Sequence, residues 1–147
     1  MKTKILPTIL LVDDDEVDRA AFVRALQKQN AKNKIVTAKD GIEALQVLRE
    51  QDSSELITQP VLILLDLNMP RMNGIEFLEE MRCDNRLHHN IVLILTTSNA
   101  MEDKIAAYQK HVAGYLVKSE ISAEYPKVID MIDQYMEYVQ FPPNELN

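Results

Sequence analysis

The stretch V-L-I-L-L-D-L-N-M-P-R-M-N-G, residues 61–74, decides the fold of this chain. It begins with five apolar residues that do not alternate with polar ones, which is typical of a strand buried on both faces of a parallel sheet. Asp66 ends the apolar run, and the asparagine, proline and glycine residues that follow indicate a loop. Because open α/β sheets bind ligands at the carboxyl ends of their strands, we predict that Asp66 lies at a functional site.

Strand patterns recur along the chain and alternate with helical patterns. Apolar residues at helical spacing follow each strand, and the last and longest helix is predicted at Ser122–Val139, with Ser122 as its N-cap. This alternation favours an α/β fold with five helices on the two faces of a parallel sheet, and right-handed crossovers favour the doubly wound strand order 2-1-3-4-5. The predicted strands are Ile9–Val12, Ile35–Ala38, Val61–Leu65, Ile91–Leu95 and Gly114–Val117.

The composition is that of an acidic globular domain. We predict a single domain over residues 1–147, with a core at about 6–140 and a short tail at 141–147. The formal net charge of −7 disfavours direct binding to nucleic acid, since no basic patch is available to neutralise phosphates. A single cysteine allows no intrachain disulfide, and no apolar run is long enough to cross a membrane, so we expect a cytoplasmic protein.

Strand 1 ends in a cluster of acidic residues, V-D-D-D-E. Strands 1 and 3 are neighbours in the predicted order, so Asp13 and Asp14 are expected beside Asp66. Converging carboxylates repel one another, and Mg²⁺ would relieve that repulsion because it takes oxygen ligands and keeps several waters. Asp15 and Glu16 have a different interpretation, as acidic residues that the helix dipole favours in a first turn.

Strands 4 and 5 bring two further polar groups to the same edge of the predicted sheet. The sequence L-T-T-S places Thr96 at the end of strand 4, and Y-L-V-K places Lys118 at the end of strand 5. A carboxylate, a cation site, a hydroxyl and an ammonium together form a site for a phosphoryl group. Asp66 would accept the phosphoryl group, Mg²⁺ and Lys118 would neutralise its charge, and Thr96 would donate a hydrogen bond.

These motifs, V-D-D, L-D-L-N-M-P-R-M-N-G, L-T-T-S and Y-L-V-K, resemble in this order the receiver domain of two-component response regulators, over nearly the whole chain. The resemblance implies that Asp66 accepts phosphate from a sensor histidine kinase and that Lys118 contacts the phosphoryl group. It also implies that Thr96 and Tyr115 form a switch pair. The 22-residue step from Thr96 to Lys118 matches the usual spacing in the family and favours Thr96 over Thr97.

The resemblance also implies a set of metal ligands and two positions that tune dephosphorylation. Asp14, Asp66 and the backbone carbonyl of Asn68 would hold Mg²⁺, and Asp13 would assist through a water molecule. Asn68 and Ser98, which follow the acceptor and the switch threonine by two residues, flank the path of the attacking water in the family. Both are small and neutral here, so we expect an acyl phosphate of intermediate lifetime.

A finer likeness concerns Y-Q-K-H-V-A-G-Y, L-T-T-S and Lys118-Ser119, which resemble the stand-alone regulators paired with cyanobacterial phytochromes and related sensor kinases. Ser119 departs from the family at large, which has Lys-Pro with a bond that is typically cis. A cis bond before serine costs about 2.5–4 kcal/mol, against about 0.5–1 kcal/mol before proline. Whether the Lys118–Ser119 bond is cis, and therefore how the loop orients Lys118, does not follow from the sequence.

Output is expected through protein contacts, because the chain ends without a DNA-binding or enzymatic domain. Met131, Tyr135 and Tyr138 widen the apolar arc of the last helix beyond what docking on the sheet requires. This pattern predicts a homodimer through the fourth helix, the fifth strand and the last helix. The alternative is that the tail, beginning with Phe141, covers part of that apolar surface.

Two other functions stay open beside the stand-alone regulator. One is a phosphorelay shuttle that passes phosphate to a histidine phosphotransfer protein. The other is a Mg²⁺-dependent phosphatase with an aspartate nucleophile, although such enzymes usually carry a second aspartate where this chain has Asn68. We expect no enzymatic activity beyond phosphorylation and dephosphorylation of the chain itself.

Overall fold

Strands and helices alternate through the part of the chain that the structure describes. The computed structural model describes residues 6–29, 32–50, 57 and 59–143. A 3₁₀ turn at Ser122–Glu124 precedes the last helix. The strands are β1 (Thr8–Val12), β2 (Ile35–Ala38), β3 (Val61–Leu65), β4 (Ile91–Thr96) and β5 (Gly114–Val117). The helices are α1 (Glu16–Lys28), α2 (Gly41–Arg49), α3 (Gly74–Cys83), α4 (Met101–Gln109), the single-turn α5 (Lys118–Ile121) and α6 (Tyr125–Tyr138).

The sheet is parallel throughout and has the order β2-β1-β3-β4-β5, which confirms the predicted topology. Strands β1 and β3 lie side by side, with Val12 paired to Leu65 at their carboxyl ends. All five residues of each of these two strands are buried, as the absence of alternation in Val61–Leu65 predicts. The central position of β1 and β3 places the residues that follow them at one point on the sheet edge.

Two apolar layers hold the helices against the sheet. Alternate residues of the central strands enter opposite layers, since successive side chains of a strand point to opposite faces. On one side, Leu10 and Ile63 pack with α2, α3 and α4; on the other, Ile9 and Leu62 pack with α1 and α6. Both faces of the sheet are therefore covered, which leaves the carboxyl edge of the strands as the open place for a ligand.

The last helix begins later than predicted. The proposed N-cap, Ser122, lies in the 3₁₀ turn, and α6 starts at Tyr125 without a side-chain cap. Pro126 lies in the first turn of α6, where its fixed φ suits a helix and its missing N–H is not needed. The prediction of Ser122 as N-cap is therefore wrong, because the proline decides where the helix begins.

The start of the C-terminal tail packs back on α6. The ring of Phe141 makes an edge-to-face contact with Tyr135, with 6.0 Å between ring centroids. Tyr135 also lies against the apolar layer under α6. The alternative interpretation of the tail is thus correct for Tyr135, whereas Met131 and Tyr138 stay exposed.

Candidate functional site

The backbone ladder brings the acidic residues after β1 and β3 together. The N–H of Asp66 donates to the carbonyl of Val12 at 2.9 Å, and the N–H of Asp13 donates to the carbonyl of Ala38 at 3.0 Å. These bonds continue the parallel pairing one step beyond the assigned strands. Asp13 and Asp66 therefore emerge next to each other at the carboxyl edge, at the point between neighbouring strands where doubly wound sheets bind ligands.

Three carboxylates form a cluster at that edge. Asp13, Asp14 and Asp66 each offer an oxygen, and these oxygens lie within 4.8 Å of one another. Asp13 and Asp66 are only 2% and 4% exposed, whereas Asp14 is open to solvent. Oxygen ligands that are partly buried and partly solvated suit a divalent cation that keeps some of its waters. The residues present therefore fit a divalent metal ion.

Lys118 is the cation of the cluster in this structure. Its Nζ lies 2.6 Å from Asp13 Oδ2, 3.0 Å from Asp18 Oδ2 and 3.5 Å from Asp66 Oδ2. Burial by itself lowers the pKa of an ammonium group. The hydrogen bonds to Asp13 and Asp18 and the charge of Asp66 outweigh burial and raise the pKa of Lys118 above its usual value. The ammonium therefore stays charged beside Asp66.

Asp13 is held by several donors as well as by Lys118. Its Oδ1 accepts the N–H of Asp15 at 2.9 Å, and its backbone carbonyl accepts Nη1 of Arg19 at 2.6 Å. Burial raises the pKa of Asp13 to about 6, although the hydrogen bonds from Lys118 and Asp15 act in the opposite direction. The ammonium of Lys118 and the N–H of Asp15 thus both bond to this carboxylate and favour its ionised form.

Two residues of this network were missed in the sequence. Asp18 contacts Lys118, and Arg19 anchors the backbone of Asp13. Asp18 lies in the first turn of α1, shortly after the acidic run that follows β1, and that position could have indicated it. The interpretation of Asp15 as a helix-start residue is correct, since its carboxylate caps α1 by accepting the N–H groups of Val17 and Asp18.

The loop after β3 is fixed close to Asp66. The N–H of Asn68 donates to Asp66 Oδ1 at 3.3 Å, and the N–H of Gly74 donates to the carbonyl of Leu67 at 2.9 Å. A Cβ at position 74 would lie 2.5 Å from the carbonyl oxygen of Asp66, so only glycine fits there. Asn73 then caps α3 in a reciprocal arrangement with Glu76. The backbone of this loop is therefore held against the carboxylate.

Thr96, Ser98 and Tyr115 are connected by hydrogen bonds. Thr96 is fully buried, and its Oγ1 accepts the N–H of Ser98 at 3.3 Å. The hydroxyl of Tyr115 donates to the carbonyl of Ser98 at 3.0 Å, and burial raises the pKa of that hydroxyl. Ser98 also donates its hydroxyl to Asp103 in the first turn of α4. A chain of contacts thus runs from the sheet edge to α4 and β5.

Lys118 reaches the carboxylates although serine replaces the proline usual in the family. The Lys118–Ser119 peptide bond is trans, and among the described residues the bond between Gln59 and Pro60 is cis. Lys118 is the first residue of the single-turn helix α5, which was not predicted. The start of this helix directly after β5 leaves the Lys118 side chain buried at the sheet edge.

Comparison with known proteins points to one family. The response regulator receiver domain family matches residues 9–130. The response regulator Rcp1 of Synechocystis sp. is 35% identical over 135 residues, covering 91% of this chain and 92% of Rcp1. The chemotaxis protein CheY-3 of Vibrio cholerae is 36% identical over 124 residues, covering 84% of this chain and 89% of CheY-3.

Solved structures agree with this result. The phosphorylated cyanobacterial phytochrome response regulator RcpA superposes with a TM-score of 0.80 at 30% identity, over 95% of this chain and 100% of RcpA. The Mn²⁺-bound form of Rcp1 gives 0.79 at 34% identity, over 93% and 99% of the two chains. No helix in the described ranges is long and apolar enough to cross a membrane. The chain therefore belongs to the response regulator receiver domain family of two-component systems.

Proposed function

We propose that Asp66 accepts a phosphoryl group from the sensor histidine kinase that is the partner of a receiver domain, in a Mg²⁺-dependent reaction. The observation that carries this proposal is the position of Asp66, which is buried beside Asp13 and Asp14 and 3.5 Å from the ammonium of Lys118. One carboxylate oxygen attacks phosphorus, and the bond from phosphorus to the phosphodonor breaks as the new bond forms. Lys118 is placed to compensate the charge that the phosphoryl oxygens bring.

Asp14, Asp66 and the backbone carbonyl of Asn68 would hold Mg²⁺, and Asp13 would assist through a water molecule. The cation supplies neutralisation of phosphoryl charge when bound. The support for a divalent cation is the convergence of three carboxylates, together with the likeness to Rcp1, which has been solved in a Mn²⁺-bound form. Thr96 is the proposed hydrogen-bond donor to a phosphoryl oxygen.

The acceptor is tested by intact-mass analysis after incubation with acetyl phosphate and Mg²⁺. We expect one phosphoryl group per chain, removable by hydroxylamine, and none on Asp66→Asn. Asp130→Asn is the matched control, since Asp130 is exposed on α6 and should label normally. Asp14→Ala should also fail to label at millimolar Mg²⁺, because loss of a carboxylate ligand weakens the cation site. Full labelling of Asp66→Asn would overturn the assignment of the acceptor.

The kinase that we propose is phytochrome-like, since Rcp1 and RcpA, the latter a cyanobacterial phytochrome response regulator, are similar to this chain over more than 90% of its length. Transfer from an autophosphorylated phytochrome kinase should be faster than transfer from an unrelated histidine kinase. Equal rates for the two donors would remove the phytochrome assignment while leaving Asp66 as acceptor.

The proposed output route starts at Thr96 and ends at α4 and β5. When Thr96 turns towards a phosphoryl oxygen, Ser98 is the first residue to respond, because its N–H is bonded to the Thr96 hydroxyl. Ser98 is also bonded to the Tyr115 hydroxyl and to the start of α4. A small displacement of Ser98 would therefore shift the balance between two packed arrangements of the surface formed by α4 and β5. The hydrogen bond from the Tyr115 hydroxyl to the Ser98 carbonyl supports this route, because a displacement of Ser98 would change the position of Tyr115.

The surface that would read this change is a homodimer interface. Edge strand β5 is flanked by exposed apolar residues on α4 (Met101, Ile105 and Tyr108) and on α6 (Met131 and Tyr138). Exposed apolar patches of this kind usually mark an interface. The alternatives are a phosphorelay shuttle and an aspartate-nucleophile phosphatase. Continuous turnover of an aryl phosphate would favour the phosphatase, whereas stoichiometric labelling favours the regulator.

A further inference from the structure

An ion pair joins the loop after β3 to the start of α2. Nε and Nη2 of Arg71 lie 2.8 and 2.6 Å from the same carboxylate oxygen of Asp40. The Asp40 side chain is only 3% exposed and its other oxygen accepts the N–H of Glu43 at 2.9 Å, as the cap of α2. Burial opposes ionisation, but the Glu43 N–H and the Arg71 guanidinium hold the pKa of Asp40 below its usual range. The ion pair therefore connects the loop after β3 with the residue that caps α2.

The backbone next to this ion pair is also tied to α2. The carbonyl of Met72 accepts the N–H of Gly41 at 3.2 Å, and a Cβ at position 41 would lie 2.7 Å from Cγ of Met72. Arg71 has a φ of 65°, a left-handed conformation that is unfavourable for a residue with a long side chain. A backbone held in that conformation needs support from its surroundings, and the contacts with α2 supply it.

The same loop carries Asn68, which contacts the acceptor. At the site end, the N–H of Asn68 bonds to Asp66, and Gly74 bonds back to Leu67. At the far end, Arg71 bonds to Asp40. The described hydrogen bonds thus fix this loop at the acceptor and at α2, and the segment between these anchors contains the Asn68 carbonyl. Loss of the Arg71–Asp40 pair would leave the bond between Gly41 and Met72 as the described backbone hydrogen bond to α2, and would loosen the segment that carries the Asn68 carbonyl.

We infer that Asp40 and Arg71 are a positioning pair that orients the Asn68 carbonyl towards the divalent cation. This inference rests on the proposed function, since it assigns a role to residues that touch neither the cation nor the phosphoryl group. It predicts that Asp40 and Arg71 affect the affinity for the cation and, through it, the rate of phosphorylation. The reactivity of the Asp66 carboxylate towards a phosphodonor should stay unchanged, because the described bonds of Asp40 and Arg71 do not involve Asp66.

The test measures Mn²⁺ binding by the loss of the free-ion EPR signal. Asp40→Asn keeps an N-cap acceptor for α2 but removes the charge, and Arg71→Gly removes the guanidinium while tolerating positive φ. We expect each variant to bind Mn²⁺ about tenfold more weakly, the size typical for residues that orient a metal ligand. Arg71→Lys should lie between Arg71→Gly and the wild type, since it retains one ammonium near Asp40.

The control is Arg49→Ala. Arg49 is the last residue of α2, and it forms ion pairs with Glu80 and Asp84 and not with the loop after β3. This substitution should leave Mn²⁺ affinity unchanged. The Asp40→Asn/Arg71→Gly double variant should bind Mn²⁺ no more weakly than either single variant, because one pair is lost in all three. Additive losses, or unchanged affinity in both single variants, would overturn the inference.

Phosphorylation provides a second readout. The labelling rate of the two single variants should fall at low Mg²⁺ and return to that of the wild type at saturating Mg²⁺. A deficit that persists at saturating Mg²⁺ would show that the pair does not act through the cation, and would overturn the inference. Failure of the wild type to label at any Mg²⁺ concentration would instead refute the proposed function, while the Mn²⁺ measurement would still judge the pair.

Discussion

Lys118 compensates the buried carboxylates around the acceptor. Replacement by methionine keeps most of the side-chain length but leaves Asp13 and Asp66 facing each other without an ammonium. Breaking a buried ion pair in this way costs about 3–5 kcal/mol of unfolding free energy. We therefore expect Lys118→Met to unfold at lower urea concentration in the presence of a chelator, and Mg²⁺ to restore a substantial part of the loss.

Lys127→Met is the control for that measurement. Lys127 is exposed and lies 3.7 Å from Glu124, so its removal should change the free energy of unfolding by no more than about 0.5 kcal/mol. If the two lysine variants lose the same stability, the carboxylates do not depend on Lys118. If Mg²⁺ restores no stability to Lys118→Met, the cation does not replace the ammonium in compensating the carboxylates.

Asn68 and Ser98 are the residues from which we expect control of the acyl phosphate lifetime. Asn68 contacts Asp66 through its N–H, and Ser98 contacts Thr96 in the same way, so the backbones of both residues lie next to the proposed reaction centre. Asn68→Arg and Ser98→Tyr should each change the rate of phosphate loss, measured by following the intact mass after removal of the donor. Thr37→Arg, at an exposed position of β2, is the control. Decay kinetics that match the wild type in both site variants would contradict the assignment.

The elements around the site depend on close packing between β3 and α3. Gly74 starts α3 at a point where a Cβ would lie 2.5 Å from the Asp66 carbonyl oxygen and 2.7 Å from Leu67 Cα. Both are backbone atoms, so Gly74→Ala must displace the backbone at the end of β3, where Asp66 lies. We expect a loss of about 1–3 kcal/mol in urea unfolding, typical of overpacking, and slower labelling by acetyl phosphate.

Gly114 offers a matched comparison on β5. A Cβ there would lie 3.1 Å from Cδ2 of Leu93, which is the end of a flexible side chain and can move. Gly114→Ala should therefore change stability by less than about 1 kcal/mol and leave labelling intact. Equal effects at the two glycines would indicate that the packing around Asp66 has no special role.

Assembly of the whole molecule is expected to depend on phosphorylation. The surface of α4, β5 and α6 retains exposed apolar residues, and Tyr138 is 81% exposed. Sedimentation at micromolar concentration should show a shift towards dimer after treatment with acetyl phosphate. Tyr138→Glu should weaken the dimer, and Thr96→Ala should label without the shift. Tyr135 is unsuitable for this test because it packs on Phe141, so its replacement would disturb the fold.

Ile42→Glu, a partly exposed apolar position on α2, is the control for the dimer experiment. It should behave as the wild type. A chain that stays monomeric with and without phosphate would contradict the homodimer and favour a phosphorelay shuttle or a different protein partner on that surface.

Most site residues that the sequence could predict lie at the carboxyl end of a strand or just beyond it. Asp13, Asp14, Asp66, Thr96 and Lys118 occur at the ends of apolar runs, and parallel strands necessarily bring their carboxyl ends to one edge. The strand order follows from alternation and crossover handedness, so the meeting of these residues required no knowledge of side-chain packing. The α/β fold and the position of the candidate site were for that reason determined by the sequence alone.

Only the tertiary structure decided the contacts that depend on how helices and loops are oriented. Asp18 reaches Lys118, and Arg71 reaches Asp40, across separations in sequence for which no periodicity exists. The start of α6 and the packing of Phe141 on Tyr135 likewise depend on a local proline and on the space left beside the sheet. Strand ends are placed by backbone hydrogen bonds with a fixed repeat, whereas these partners are selected by the three-dimensional fit of side chains.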